Sequence, residues 1–157
     1  MKRVAACVLG LALAGCQSAP PAAVSERARF LLESESDQAV LVTLPQSGVQ
    51  LAVLPKPVFT EFDIVNIEIA RIELGDCLVF QLTPAAARDL ARLTAENPGR
   101  RLVLTLSGVP FGARRIDKPL TKGTLFIYVE APDVALPALA ASLNETCAAL
   151  RAAGVKK

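Results

Sequence analysis

The chain has 157 residues, 17 basic against 15 acidic, with seven aromatic side chains and no histidine. Balanced charge and so few rings remove the electrostatic footprint and the stacking platforms of a nucleic-acid binder. Without histidine there are no Ser-His or Cys-His nucleophile pairs, none of the usual zinc sites and no imidazole base, so the composition argues against an enzyme.

Lys2 and Arg3 precede an apolar run from Val4 to Ala14, too short to span a bilayer, and Leu13-Ala14-Gly15-Cys16 stands where a signal-peptide cleavage site belongs. The tetrapeptide LAGC resembles the lipobox of bacterial lipoproteins. That resemblance implies that residues 1–15 are a signal peptide and that Cys16 becomes a lipid-modified N-terminus; an ordinary secretory signal with an incidental Cys is the alternative. Cys7 is then a small apolar residue of the discarded leader. Gln17 stands where retention in the inner membrane would want Asp, which points to the outer membrane, periplasmic face. Several acyl chains on one Cys anchor a protein without any transmembrane helix. The mature chain is neutral and, at about 140 residues, makes one domain.

Residues 16–27 are expected as a tether and 28–157 as the domain; Gln17 to Ala23 (QSAPPAA) has no apolar pattern to bury. Extended at roughly 3.1 Å per residue, those seven residues reach on the order of 20 Å. In the domain, Ala28, Phe30 and Leu32 alternate as in a short strand, or a frayed helix, before SESDQ breaks the run. Ala39 to Leu44 and Val49 to Leu54, separated by PQSG, predict a hairpin. Asp63 to Leu74 alternates through Val65, Ile67 and Ile69 and then changes phase to Ile72 and Leu74, which predicts a bulge at Ala70-Arg71. After the Gly75-Asp76 turn, Cys77 to Leu82 is strand again.

Thr83-Pro84 predicts a helix start, a capping hydroxyl followed by Pro at a position that needs no N–H. Ala86, Leu90 and Leu93 share one face of that helix, and Arg92 with Glu96 forms an i,i+4 pair. Asn97-Pro98-Gly99 ends it, and Leu102, Leu104 and Leu106 return across a sheet. Ser107-Gly108 and Thr121-Lys122-Gly123 turn the chain into Val109 to Ile116 and Thr124 to Val129; Asp133 is expected to cap a last helix with Leu136, Leu139, Leu143, Cys147 and Leu150 inward. Strands and helices in this order predict an α+β fold, a mostly antiparallel sheet with two helices packed on one face.

The remaining chemistry is sparse. Glu33, Glu35 and Asp37 could share a face as in a calcium-binding edge, but their spacing reads better as a solvated acidic loop; Glu68 and Glu73 read as the polar face of a strand. Scattered single glycines make no phosphate cradle, so no cofactor is expected. Cys77 opens a strand that the last helix could cover with Cys147, which predicts a disulfide worth roughly 4 kcal/mol; two buried free thiols are the alternative. Arg114, Arg115, Lys118 and Lys122 gather between two strands and make a candidate surface for a partner's acidic segments or anionic headgroups, against the plainer reading of a solvated hairpin edge.

Residues 83–102, TPAAARDLARLTAENPGRRL, resemble the head subdomain of the first periplasmic domain of the SecD/SecDF export factors. Thr83, Pro84, Ala87, Leu90, Thr94, Asn97, Gly99, Arg101 and Leu102 sit at the matching positions. The likeness continues through Gly108, Ile116, Pro119 and Gly123, is preceded by the similar segment Val58 to Ile64, and covers about residues 55–150. Ala86 replaces a family Gly, Ser107 replaces the Asp of an Asp-Gly turn, and Arg114 with Val129 stand where the family has Pro and Gly. The resemblance implies a ferredoxin-like α+β head of the kind that touches emerging polypeptide. It does not imply proton-driven translocation, because the family's transmembrane helices have no counterpart in the sequence. The expected function is a non-catalytic outer-membrane lipoprotein that binds or scaffolds an envelope protein. The alternatives are a chaperone-like module for extended polypeptides and a small-ligand binder.

Overall fold

The structure, a computed structural model, describes residues 26–72, 75–130 and 135–154. The leader 1–15 with Cys7, the lipidation position Cys16, most of the tether, Glu73, Leu74 and Asp133 lie outside the described residues. The described elements are, in order, β1 Ala28–Leu32, β2 Val40–Thr43, β3 Gln50–Val53, a 3-10 turn at Glu61–Asp63, β4 Ile64–Ile72, β5 Gly75–Leu82, α1 Pro84–Glu96, β6 Arg101–Leu106, β7 Val109–Arg115, β8 Thr124–Val129 and α2 Leu136–Ala152. Six strands form one sheet in the order β1-β6-β7-β8-β5-β4, with every neighbouring pair antiparallel, and β2 pairs only with β3. This is the expected α+β class.

Period-two alternation divides the sheet into two faces. Phe30, Leu32, Leu78, Phe80, Leu82, Leu102, Leu104, Leu125 and Ile127 point to one side and meet Ala86 and Leu90 of α1 and Leu136, Ala140, Leu143 and Cys147 of α2. Phe30 is the hinge of this core, edge-on to Phe80 at 5.0 Å between centroids and to Phe59 at 6.5 Å. Leu31 and Val103 point the other way and are covered by Leu44, Leu51 and Val53 of the β2–β3 hairpin.

The segment Ala28–Leu32 is a strand because Leu102 to Leu106 offers it an antiparallel ladder, residue for residue. Turn chemistry acts as predicted at three places. The Thr83 hydroxyl accepts from the Ala86 N–H at 3.3 Å to start α1. Asn97 donates from its amide to the Leu93 carbonyl at 2.9 Å where α1 stops. Ser107 and Gly108 both take positive φ, 49° and 89°, the geometry of a two-residue hairpin turn. Three local expectations are corrected. Gly75 and Asp76 are the first residues of β5, paired with Ile72 and Arg71, rather than the turn before it. The register shift in β4 lies between Ile64 and Asn66, at Val65, and pairing from Asn66 to Ile72 is regular through Ala70-Arg71; the extra residue lets Ile64 and Ile67 both face the core. Arg92 pairs with Asp89 one turn back, at 3.1 Å, rather than with Glu96.

Candidate functional site

The side of the sheet away from the helices is the outer face, and the hairpin covers only part of it. Its buried partners belong to β1 and β6, with Ala113 of β7 half-buried beside them. On the remaining strands the registers place side chains in rows: Phe126, Val79 and Glu68; Tyr128, Cys77 and Ala70; with Thr124, Gln81 and Asn66 at one end. Val79 and Cys77, on β5 between β8 and β4, are buried, whereas Phe126 and Tyr128 remain 38% and 37% exposed. Glu68 is held among polar neighbours, accepting from Asn66 at 2.7 Å and Gln81 at 3.2 Å. The result is an apolar strip with two accessible aromatic rings, closed at one end by amides and a carboxylate.

Backbone bonds from the Ser34 N–H to the Ala52 carbonyl and from the Leu54 N–H to the Leu32 carbonyl, both 2.9 Å, tie the hairpin to the end of β1, and one side chain fixes its turn. Glu130, just past β8, accepts from the Gln46 N–H at 2.6 Å, the Ser47 N–H at 2.9 Å and the Ser47 hydroxyl at 2.5 Å. Burial works against its ionisation, but the hydrogen bonds from Ser47 and Gln46 outweigh it and hold the Glu130 carboxyl below its usual range.

The edge of the sheet next to this strip is guarded. Asn144 of α2 accepts from the Ile67 N–H at 2.9 Å and donates to the Ile67 carbonyl at 2.7 Å, so its side-chain amide occupies the place of a neighbouring strand. Arg151 donates to the Val65 carbonyl at 3.1 Å. Exposed Val65, Ile69 and Ile72 give β4 an apolar character, and the two α2 side chains block strand addition at its centre. Sequence reasoning missed Asn144, because its partner lies 77 residues away.

The basic cluster is brought together only in part. Arg114, Lys118 and Lys122 line one groove of ≈ 550 Å³ with Leu120, Thr124 and Phe126. Arg115 is not among its lining residues and has Asp117 at 3.9 Å. Arg114, half-buried, has partners of its own: its guanidinium sits 5.7 Å from the centroid of the Phe126 ring and donates to the Phe126 carbonyl at 3.3 Å. It does so where β7 and β8, paired only through Gly112↔Val129 and Ala113↔Tyr128, part company. At Gly112 a Cβ would collide with the Tyr128 carbonyl, so a glycine is needed for the two strands to meet at all.

The expected disulfide is corrected: Cys77 and Cys147 are both free and buried. Cys147 belongs to the core beneath the helices, while Cys77, one residue before core-facing Leu78, points to the outer face, where its thiol donates to the Ala70 carbonyl at 3.4 Å. The sheet itself separates the two sulfurs. Burial raises both thiol pKa values, that of Cys147 to about 11 with Arg151 opposing and Glu61 adding to the shift. Among the acidic residues, Glu33 pairs with Arg101 at 3.0 Å while Glu35 and Asp37 stay exposed. The described residues hold no group of three His, Cys, Asp or Glu side chains placed to bind a metal, and no helix long and apolar enough to cross a membrane.

No family model matches the sequence, and no curated protein does. Solved structures do match. One is SecDF in a super-membrane-facing form, at 17% identity and TM-score 0.61, over 76% of this chain and 19% of that one. A second is described as a membrane component SecDF that enhances protein export, at 17% and 0.59, over 76% of this chain and 62% of that one. A third is SecDF, a translocon-associated membrane protein, from Thermus thermophilus, at 18% and 0.53, over 78% of this chain and 20% of that one. The fold is SecDF-like. The chain spans less than two thirds of each of these proteins, about a fifth of the first and third.

Within the SecDF-like fold, the residues that carried the sequence resemblance are scaffold. Thr83 caps α1; Thr94 donates to the Leu90 carbonyl at 2.7 Å and accepts from the Leu120 N–H at 2.9 Å. Ala87 lies where a Cβ on Gly123 would come within 2.8 Å, and the Gly99 N–H donates to the Ile116 carbonyl at 2.8 Å. Together these contacts dock α1 against the segment from Ile116 to Gly123.

Proposed function

We propose that this protein is a non-catalytic lipoprotein, anchored through Cys16 on the periplasmic face of the bacterial outer membrane, whose domain binds another envelope protein on the bare part of its outer face. The observation that carries the reading is the pair of accessible rings, Phe126 and Tyr128, on β8, a strand that the hairpin leaves uncovered. Accessible aromatic side chains beside polar groups are the common anchors of protein interfaces. The likeness to SecDF, one structure of which is described as enhancing protein export, supports an envelope polypeptide as the partner. A chaperone-like grip on extended polypeptides along β4 is disfavoured, since Asn144 and Arg151 already occupy that edge.

Chemical crosslinking of intact cells followed by mass spectrometry tests the reading. Adducts between residues of the domain and a defined envelope protein are expected, and Cys16→Ser should move the protein out of the membrane fraction. A domain that yields no protein adducts, or a Cys16→Ser variant that stays membrane-bound, contradicts it.

A further inference from the structure

The groove at the parting of β7 and β8 has the lining of a binding site. Its cations are arranged along a loop and a strand: Lys118 and Lys122 on the connection between β7 and β8, Arg114 near the end of β7. Neither lysine has an ion-pair partner among the described residues, and both are exposed. Phe126 and Leu120 add apolar surface between these charges, and Phe126 also belongs to the bare strip. Arg114 is spent in part on Phe126, which fixes its guanidinium over the ring. A compact anion such as phosphate is best held by converging backbone N–H groups, whereas charges spaced along an apolar trough suit an extended segment that alternates carboxylates with apolar side chains.

From the spacing of the cations and the apolar surface between them we infer that the groove receives an acidic, extended segment of the partner protein, with Lys118 and Lys122 as the residues that recognise its carboxylates. The inference deepens the protein-binding reading above and rests on it.

The test uses the full chain and two fluorescent decapeptide probes, one alternating Glu or Asp with Phe and Leu, the other with Gln and Asn in place of the acids. Four proteins are compared: wild type, Lys118→Glu/Lys122→Glu, the milder Lys118→Gln/Lys122→Gln, and Lys56→Glu/Arg88→Glu, which changes net charge equally at exposed positions elsewhere. Wild type should bind the acidic probe and not the amide probe, and more weakly as salt is added. Reversal at Lys118 and Lys122 should weaken binding about tenfold, with the Gln pair intermediate and the distant reversal having an effect of less than about twofold. Thermal melts verify that each variant is folded, and the Gln pair decides the matter if the Glu pair is not.

Equal losses in the near and distant reversals would reduce the effect to net charge and overturn the inference. So would binding to phosphatidylglycerol vesicles through Lys118 and Lys122 without binding of the acidic probe. Crosslinks on intact cells that persist unchanged in the Lys118→Glu/Lys122→Glu variant overturn the groove alone, whereas an absence of any protein adduct overturns the protein-binding reading with it.

Discussion

A single row of outward-facing residues crosses all six strands of the sheet: Leu31, Val103, Ala113, Tyr128, Cys77 and Ala70. The first three lie against the β2–β3 hairpin, and the last three do not. Both halves have the alternating pattern expected of buried strands, so the pattern alone does not say which half is covered. Coverage is decided by where a separate hairpin is held, and Glu130 holds it at its turn. The difference shows how a sheet with two apolar faces can keep a stable core and still leave aromatic side chains accessible.

Truncating a side chain in each half separates the two most strongly. Leu51→Ala removes a buried contact beneath the hairpin and should cost about 2 to 5 kcal/mol in urea unfolding, whereas Tyr128→Ala on the bare half should cost less than about 1 kcal/mol. Similar losses at the two positions would mean that the second half is covered too.

Next in size is the clamp. Glu130→Ala removes the acceptor of three hydrogen bonds at the hairpin turn and should destabilise the protein by about 1 to 2 kcal/mol. The pH dependence has a definite sign. Because the folded protein holds Glu130 below its usual range, the clamp contributes fully above the ordinary glutamate pKa and is lost as pH falls through the lowered one. Amide resonances of Gln46 and Ser47 should therefore shift together on acidification, and Glu130→Gln should abolish that coupled step.

A smaller effect is expected at the guarded edge. Asn144→Ala frees both polar groups of Ile67 and should cost about 1 kcal/mol, while exposing an apolar edge strand to self-pairing. Sedimentation at rising concentration should show association in the variant that wild type lacks. The least energetic check concerns the thiols. In the folded protein at pH 8, Cys77 and Cys147 should be alkylated slowly, since burial holds both thiols protonated, and denaturation without reductant should make both fully reactive. Peptides that stay unlabelled after denaturation would restore the disulfide and place the two residues on one face.

Local chemistry was legible in the sequence wherever neighbouring residues decide it. Thr83-Pro84, Asn97-Pro98-Gly99 and Ser107-Gly108 mark their boundaries through capping and backbone sterics, and the alternation of Leu102, Leu104 and Leu106 shows a core-facing strand. What the sequence hides is set by distant partners. The bulge falls at Val65 because Ile64 and Ile67 must both reach the core, a demand invisible in an alternation that runs unbroken to Ile69. Cys77 and Cys147 read as a pair until the register of β5 turns one of them away from the helices. Arg114 reads as one more surface charge until β7 and β8 separate and leave it the Phe126 carbonyl. Asn144 gives no signal at all, since an asparagine on a helix becomes an edge guard only when a strand lies beside it.

A partner bound on the half of the outer face that the hairpin leaves free would lie against Tyr128. A photoreactive residue placed at Tyr128, and for comparison at Arg88 on the exposed side of α1, tests it directly in intact cells. A discrete protein adduct from position 128, with none from position 88, is the predicted result. Adducts of equal yield and identity at the two positions, or none at 128, would contradict that placement.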